Sequence, residues 1–159
     1  MEIVALSDAI GAEIRGIDLS QPLDGATIDA IKDAWHAHIV LVFHGQTLGV
    51  EAHKAFAGAF GEVGKHMRPK KIRNESAELG PNVMLVSNIR ENGKPIGSLP
   101  DGEMMFHSDT PYREHPDKAT TLYAIEIPKT GGNTIFANCY MAAETLPDDV
   151  KRTLAGRKA

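Results

Sequence analysis

The chain has 159 residues, of which 42% are hydrophobic and 24% are charged, and this composition excludes collagen-like, low-complexity and intrinsically disordered proteins. The formal net charge of −4 provides no overall positive field to attract nucleic acid or anionic lipid, and the single cysteine excludes an intrachain disulfide and a CxxC metal site. We therefore expect one domain with its own hydrophobic core and no nucleic-acid partner.

The first part of the chain predicts strands on both sides of a helix. β-Branched residues around Gly11 and Gly16 predict two short strands within residues 2–19. Side chains then recur at three- and four-residue spacing, which predicts an amphipathic helix. The side chains on its inner face are Ile28, Ile31, Trp35 and His38. Residues 39–43 are all apolar, which predicts a short strand buried on both faces.

The apolar run at residues 39–43 also bears on membrane association. It is the longest in the chain and falls far short of the roughly 20 residues that a membrane-spanning helix needs. The N-terminal residues lack the positive segment and the long apolar stretch of a secretory signal. We therefore expect a cytoplasmic protein with no membrane partner.

A second helix and a hairpin are predicted in the middle of the chain. Thr47 is expected to cap a helix that ends at Gly61. Residues 65–80 are polar, and their basic side chains fit either a solvated loop or a lid over an anionic substrate. Residues 83–89 are expected to form a strand. The Asn-Gly pair within residues 91–95 predicts a hairpin turn, because both residues tolerate a positive φ.

The last part of the chain predicts two strands followed by short helices. Residues 119–127 alternate between two unlike faces, which is the period of a strand, and residues 133–137 are predicted to form another. Asn138 is expected to cap a short helix that runs through Leu146. Pro147 is expected to open a final helical turn.

The most informative segment chemically is Phe-His-Ser-Asp-Thr at residues 106–110. Residues two apart on an extended strand point to the same side, so the imidazole of His107 and the carboxylate of Asp109 can converge on one metal ion. A nitrogen and a hard oxygen suit Fe(II) or Mn(II), and they are two thirds of the 2-His-1-carboxylate triad of non-haem iron oxygenases. The spacing alone is weak evidence, because roughly 0.4 such pairs are expected by chance in this composition.

A second motif, Thr-Gly-Gly-Asn-Thr-Ile-Phe-Ala-Asn, occupies residues 130–138. Together with residues 106–110 it resembles the Fe(II)/2-oxoglutarate-dependent dioxygenase family typified by taurine dioxygenase and 2,4-dichlorophenoxyacetate dioxygenase. The resemblance covers essentially the whole chain in motif order. It includes residues 11–19, 56–62 and 143–147.

The resemblance implies a fold and a set of site residues. The implied fold is α+β or mainly β, a double-stranded β-helix (jelly roll) with N-terminal helices, which holds iron at one open end. His107 and Asp109 are implied as the first two iron ligands. Thr134 is implied as the hydroxyl that hydrogen-bonds a carboxylate of the cosubstrate 2-oxoglutarate. His66 and Tyr112 are implied as substrate-binding residues.

The chain departs from the family after this point. Family members have a second iron-binding histidine and, beyond it, an arginine that pairs with the distal carboxylate of 2-oxoglutarate, and this sequence stops before both. The only histidine after Asp109 is His115, whose Glu-His-Pro setting is typical of a solvent-facing loop. We therefore expect residues 1–159 to form a single, incomplete dioxygenase domain, the N-terminal half of an enzyme.

One main functional hypothesis and two alternatives follow. The main hypothesis is an Fe(II)- and 2-oxoglutarate-dependent dioxygenase that uses O2 to hydroxylate a small acidic substrate, with this chain inactive on its own. The first alternative is an inactive fragment or binding module that keeps the first half of the fold. The second is a zinc or manganese hydrolase with Glu103 as base, which leaves residues 131–134 without a role. Uncovered strand edges predict that the isolated chain dimerises or aggregates.

Overall fold

The structure is a computed structural model that describes residues 1–65, 79–80, 82–98 and 105–157. These ranges hold four helices and five short strands. In chain order the elements are β1 (Glu2–Ala5), β2 (Ala12–Arg15), α1 (Gly25–His38), β3 (Leu41–Val42), α2 (Val50–Gly58), β4 (Arg90–Glu91), β5 (Lys94–Pro95), α3 (Cys139–Glu144) and α4 (Asp148–Leu154). This part of the chain combines helices with two small sheets, which agrees with the coarse α+β expectation.

The chain divides into two compact units. The first consists of Met1–Thr47, Tyr112–Glu114 and Leu122–Ala159. The second consists of Leu48–Pro111 and His115–Thr121.

The first unit contains a three-stranded sheet in the order β1-β2-β3. β1 pairs with β2 in antiparallel register, from Glu2 opposite Arg15 to Ala5 opposite Ala12. β3 pairs with the other edge of β2 in parallel, and α1 supplies the crossover that a parallel connection needs. The two strands predicted within residues 2–19 are confirmed.

Helix α1 covers the sheet with its apolar face. The carboxylate of Asp24 accepts a hydrogen bond of 2.7 Å from the backbone N–H of Thr27 and so caps the first turn. Ile31 and Ala34 are buried on the helix, and Ile14 of β2 is buried as well. The amphipathic helix expected from the spacing is confirmed, and it supplies much of the core of the first unit.

The strand predicted at residues 39–43 is shorter and less buried than expected. Only Leu41–Val42 pairs as β3, and both residues are half-buried rather than covered on both faces. Ile39 instead ends α1 with φ at 69°, a left-handed conformation that is unfavourable for a β-branched residue. The backbone N–H of Ile39 donates to the carbonyl of Trp35 at 2.7 Å, and this C-cap contact takes the residue away from the sheet.

In the second unit, α2 begins two residues later than predicted. Its N-cap is Gly49 rather than Thr47, and it carries no side-chain cap. The helix ends at Gly58 with Ala59 as C-cap, short of the predicted end at Gly61. The predicted helix itself is confirmed.

The predicted hairpin turn is also confirmed. β4 and β5 pair in antiparallel register around Asn92 and Gly93, whose φ angles of 52° and 78° are both positive. Below the turn, the backbone N–H of Ser98 donates to the carbonyl of Leu85 at 2.8 Å. A Cβ added at Gly97 would overlap the backbone carbonyl of Ser87, so the two arms approach closely only because residue 97 is glycine.

Three predicted strands do not form, and those predictions are wrong. Residues 83–89 lead into β4 as an irregular arm, and residues 119–127 and 133–137 pair with no strand in the described part of the chain. The apolar side chains of the last two segments are exposed; they are Leu122, Ile125, Ile127, Ile135 and Phe136. Because a strand is stabilised by hydrogen bonds to its neighbour, strand-like patterning without a partner leaves an extended chain.

The last two helices follow the sequence closely. The side-chain oxygen of Asn138 accepts from the backbone N–H groups of Tyr140 and Met141 and caps α3, as predicted. Its side-chain amide donates to the carbonyl of Ala9 at 2.6 Å, which ties α3 to the N-terminal region of the same unit. Pro147 precedes α4 as its N-cap. In the described residues no helix is long and apolar enough to span a membrane.

Candidate metal centre

His107 and Asp109 lie in an irregular segment of the second unit, and their side chains face each other. The Nε2 atom of His107 is 3.4 Å from the Oδ1 atom of Asp109. The two side chains are 54% and 49% exposed. The segment is irregular and is not the regular strand that the two-residue spacing predicts, although Nε2 of His107 and Oδ1 of Asp109 do face each other.

A backbone hydrogen bond orients the imidazole of His107. Its Nδ1 atom is 2.9 Å from the carbonyl oxygen of Met105. A carbonyl oxygen can only accept, so Nδ1 carries the proton and donates. In the neutral ring, the lone pair is then on Nε2, the atom that faces Asp109.

A hydrogen bond to the second oxygen of Asp109 restrains its carboxylate. Oδ2 accepts a hydrogen bond of 2.6 Å from the hydroxyl of Thr120, while Oδ1 points to His107. The loop after Asp109 turns sharply at Thr110, which has φ of 50° and whose hydroxyl accepts from the backbone N–H of Asp117 at 2.9 Å. A positive φ is costly for a β-branched residue, so this hydrogen bond helps to hold an otherwise unfavourable turn beside the pair.

The donor set fits a divalent metal ion. The Nε2 lone pair and the Oδ1 lone pairs face each other across 3.4 Å, which is favourable only when a cation, either a proton or a metal ion, lies between them. Two ligand atoms at right angles with bonds of about 2.1 Å are separated by about 3.0 Å, so a small side-chain adjustment suffices to chelate an ion. A nitrogen with a hard oxygen suits Fe(II) or Mn(II).

A second histidine–carboxylate pair differs from the first because an arginine neutralises its carboxylate. In the first unit, the Nδ1 atom of His44 is 2.9 Å from one carboxylate oxygen of Glu13, and the guanidinium of Arg15 is 2.6 Å from the other. The hydrogen bonds from Arg15, and then from His44, lower the pKa of Glu13 to about 2. Because Arg15 already neutralises this carboxylate, the pair is a structural ion cluster rather than a candidate metal site.

No third ligand joins His107 and Asp109 within the described residues. In that part of the chain, no group of three or more histidine, cysteine, aspartate or glutamate side chains is arranged to hold a metal ion. His115 is exposed and is not part of such a group. Within the described residues, His107 and Asp109 are therefore two candidate ligands that face each other, with no third histidine, cysteine or carboxylate grouped with them.

The other predicted site residues are described one by one. Thr134 belongs to the first unit and lines a groove of about 510 Å³ with Leu6, Val40, Val42 and Ile135 among its walls. Of the residues that line the groove, none is ionisable. Tyr112 is 79% exposed. His66 and Glu103 lie outside the described residues.

Sequence reasoning did not identify Thr120. The residue follows Asp109 by 11 positions and carries no motif, so no spacing signal connects the two. The neighbouring Thr121 contacts helix α2, where its hydroxyl is 2.9 Å from Nε2 of His53. Burial lowers the pKa of His53 from its ordinary value.

Comparison with known proteins identifies relatives over the whole chain. The sequence profile of the family described as taurine catabolism dioxygenase TauD, TfdA matches residues 2–159. Pentalenolactone F synthase of Streptomyces avermitilis is 36% identical over 155 residues, covering 95% of this chain and 49% of the relative. An alpha-ketoglutarate-dependent sulfate ester dioxygenase of Pseudomonas putida is 32% identical, covering 95% of this chain and 46% of the relative.

A solved structure agrees with the sequence relatives. A Burkholderia xenovorans protein assigned as an alpha-ketoglutarate dependent 2,4-D dioxygenase matches with a TM-score of 0.67 and 25% identity, over 98% of this chain and 50% of that one. The chain thus spans about half the length of the curated relatives described above.

Proposed function

This chain belongs to the taurine catabolism dioxygenase TauD, TfdA family, and we propose that it forms the first half of an Fe(II)- and 2-oxoglutarate-dependent dioxygenase. Fe(II) and 2-oxoglutarate are the metal and the cosubstrate of this family. In the proposal, His107 and Asp109 are the first two iron ligands. Because the chain spans about half the length of these curated relatives, we propose that the other strands of the jelly roll belong to the other half of the domain.

The observation that supports the proposal most strongly is the geometry of the ligand pair. Nε2 of His107 and Oδ1 of Asp109 are 3.4 Å apart, and the remaining polar atom of each side chain is already hydrogen-bonded. Metal ligands are commonly held in this way by outer partners, because such contacts fix the orientation of the donor atom. An ordinary surface ion pair forms without such hydrogen bonds to its outer atoms.

Each proposed residue has a defined task. The bound iron, together with 2-oxoglutarate, supplies the oxidising chemistry of the reaction with O2. His107 binds the metal through Nε2 and Asp109 through Oδ1. We propose that Thr134 donates a hydrogen bond to a carboxylate of 2-oxoglutarate, and that His66 and Tyr112 contact the substrate.

The substrate class that we propose is a small acidic organic molecule. The names of two relatives support it, since one acts on sulfate esters and another, from Cupriavidus pinatubonensis, on 2,4-dichlorophenoxyacetate. A sulfate monoester and an aryloxyacetate each carry an anionic group at neutral pH. A basic residue or a histidine in the substrate pocket would pair with that group.

Because the chain holds two of the three ligands, we expect it to bind metal weakly and not to couple O2 consumption to succinate formation by itself. The alternative function, an inactive fragment or binding module, is favoured by one observation: no third ligand is present in the described residues. An assay of succinate formation separates the two cases once an in-frame continuation of the chain is expressed. A dioxygenase half becomes active with that continuation, whereas a binding module does not.

Metal binding by the chain tests the proposed ligands directly. Free Mn(II), measured by its EPR signal during titration, replaces Fe(II) without the complication of oxidation. We expect one Mn(II) per chain, with affinity at least tenfold lower in His107→Ala and in Asp109→Ala, because each removes one of two ligands. His115→Ala is the matched control and retains wild-type affinity. Failure of the wild-type chain to bind Mn(II) would overturn the proposal.

A further inference from the structure

We propose that Thr120 is a positioning residue for the metal ligand Asp109, an inference that rests on the proposed function. The hydroxyl of Thr120 donates to Oδ2 of Asp109 at 2.6 Å. Oδ1 of the same carboxylate is the oxygen that faces His107. The two oxygens of the carboxylate thus have different partners: Oδ2 is hydrogen-bonded to Thr120, and Oδ1 is available to a metal ion.

The hydrogen bond from Thr120 also restrains the rotation of the Asp109 carboxylate. A carboxylate rotates easily about its last side-chain bond, and that torsion has a broad range of angles. With 49% of the Asp109 side chain exposed, surrounding packing restrains the rotation only in part. The Thr120 hydroxyl restrains the plane of the carboxylate and occupies Oδ2, so that Oδ1 is the oxygen that would be presented to a bound metal.

The segment that carries Thr120 is itself held in place. The next residue, Thr121, contacts Nε2 of His53 on α2 through its hydroxyl at 2.9 Å. All three residues and Asp109 belong to the second unit. The two adjacent threonines therefore have separate partners: Thr121 contacts the helix, and Thr120 contacts the ligand.

Their adjacency provides a matched set of variants. Thr120→Val keeps the shape of the side chain and removes the hydroxyl, whereas Thr120→Ser keeps the hydroxyl and removes the methyl group. Thr121→Val removes a hydroxyl from the same segment without touching Asp109. Thermal unfolding by circular dichroism is recorded for each variant, so that metal affinity is compared only between folded chains.

The test is Mn(II) titration of the full chain by EPR, with Co(II) absorption as a second readout. We expect Thr120→Val to lower the affinity at least tenfold, the range found when outer partners of metal ligands are removed. Thr120→Ser and Thr121→Val should stay within twofold of the wild-type chain. The Co(II) spectrum should change in Thr120→Val alone, because it reports the ligand field and not the overall fold.

The outcomes separate this inference from the proposed function. Wild-type binding that is lost in Asp109→Ala but retained in Thr120→Val would overturn the role of Thr120 and leave the ligands standing. Loss of binding in Thr120→Ser would also overturn it, because the methyl group rather than the hydroxyl would then matter. Absence of Mn(II) binding by the wild-type chain would overturn the proposed function and the positioning role together.

Discussion

Two regions of the molecule have the same strand-like sequence pattern but different structures. One is the N-terminal sheet, and the other consists of the segments at residues 119–127 and 133–137. In the N-terminal region, Ile14 is buried on a strand that has partners on both sides. In the later segments, Ile125 is 79% exposed and Ile135 is 69% exposed. Patterning specifies which face of a strand becomes buried, but a partner strand is needed before the burial occurs.

The two histidine–carboxylate pairs show the same contrast on a smaller scale. In the first pair, Glu13 contacts His44 and also forms an ion pair with Arg15, which follows it by two residues on the same strand. Within the described residues, His107 and Asp109 have no such cation beside them, and they are oriented by a backbone carbonyl and by Thr120. The carboxylate of Glu13 is thus neutralised by an arginine, whereas Oδ1 of Asp109 faces the imidazole of His107.

The largest expected effect comes from core truncation in the two regions. Ile31→Ala removes a fully buried side chain and should cost about 2–5 kcal/mol of unfolding free energy. Ile125→Ala, in the unpaired segment, should cost less than about 0.5 kcal/mol. Urea unfolding of each variant, followed by circular dichroism, measures the difference. Equal costs would show that Ile125 is covered in solution, by another copy of the chain or by its own fold, and would remove the contrast.

A smaller effect is expected at the N-cap of α1. Asp24→Ala should lower the unfolding free energy by about 1 kcal/mol, because the backbone N–H of Thr27 loses its partner. Asp29→Ala is the control in the same helix, since that exposed carboxylate is 3.8 Å from Lys32 and should change stability by less than about 0.5 kcal/mol. Equal effects in the two variants would assign the loss to general helix electrostatics instead of the cap.

These results also show how far the sequence predicts the fold and the site. Most features that depend on neighbours along the chain were predicted correctly: the spacing of α1, the Asn-Gly turn and the Asn138 cap are confirmed, although the N-cap of α2 is Gly49 and not Thr47. Strand pairing depends on distant partners, and it was not predicted correctly for residues 119–127. Thr120 belongs to this second class, because a hydrogen bond across 11 residues leaves no periodic signal.

The smallest effect is expected from the ion cluster of the N-terminal sheet, and it is measured as the dependence of stability on pH in the acid range. The pKa of Glu13 is lowered in the folded state to about 2, from an ordinary value of 4.5, by the hydrogen bond from Arg15 and then by that from His44. A lowered folded-state pKa gives stabilisation that is present above pH 4.5 and lost as the pH falls toward about 2. Glu13→Gln should therefore flatten the stability profile across this window.

Urea midpoints measured at steps across the acid range check this prediction, with Glu2→Gln as control because Glu2 lies on the neighbouring strand and is exposed. An unchanged profile in Glu13→Gln would mean that the cluster does not contribute to folding. The expected slope also decreases with added salt, since these charges are near the surface.

The location of a bound metal ion tests the central claim most directly. Mn(II) is added in substoichiometric amounts to the isotope-labelled chain, and paramagnetic loss of amide NMR signals identifies the residues nearest the ion. We predict that residues 105–110 and Thr120 lose intensity first, while Glu13 and His44, the pair already neutralised by Arg15, keep theirs. Signal loss centred on Glu13 and His44, or spread evenly over the chain, would contradict the assignment of His107 and Asp109 as the metal ligands.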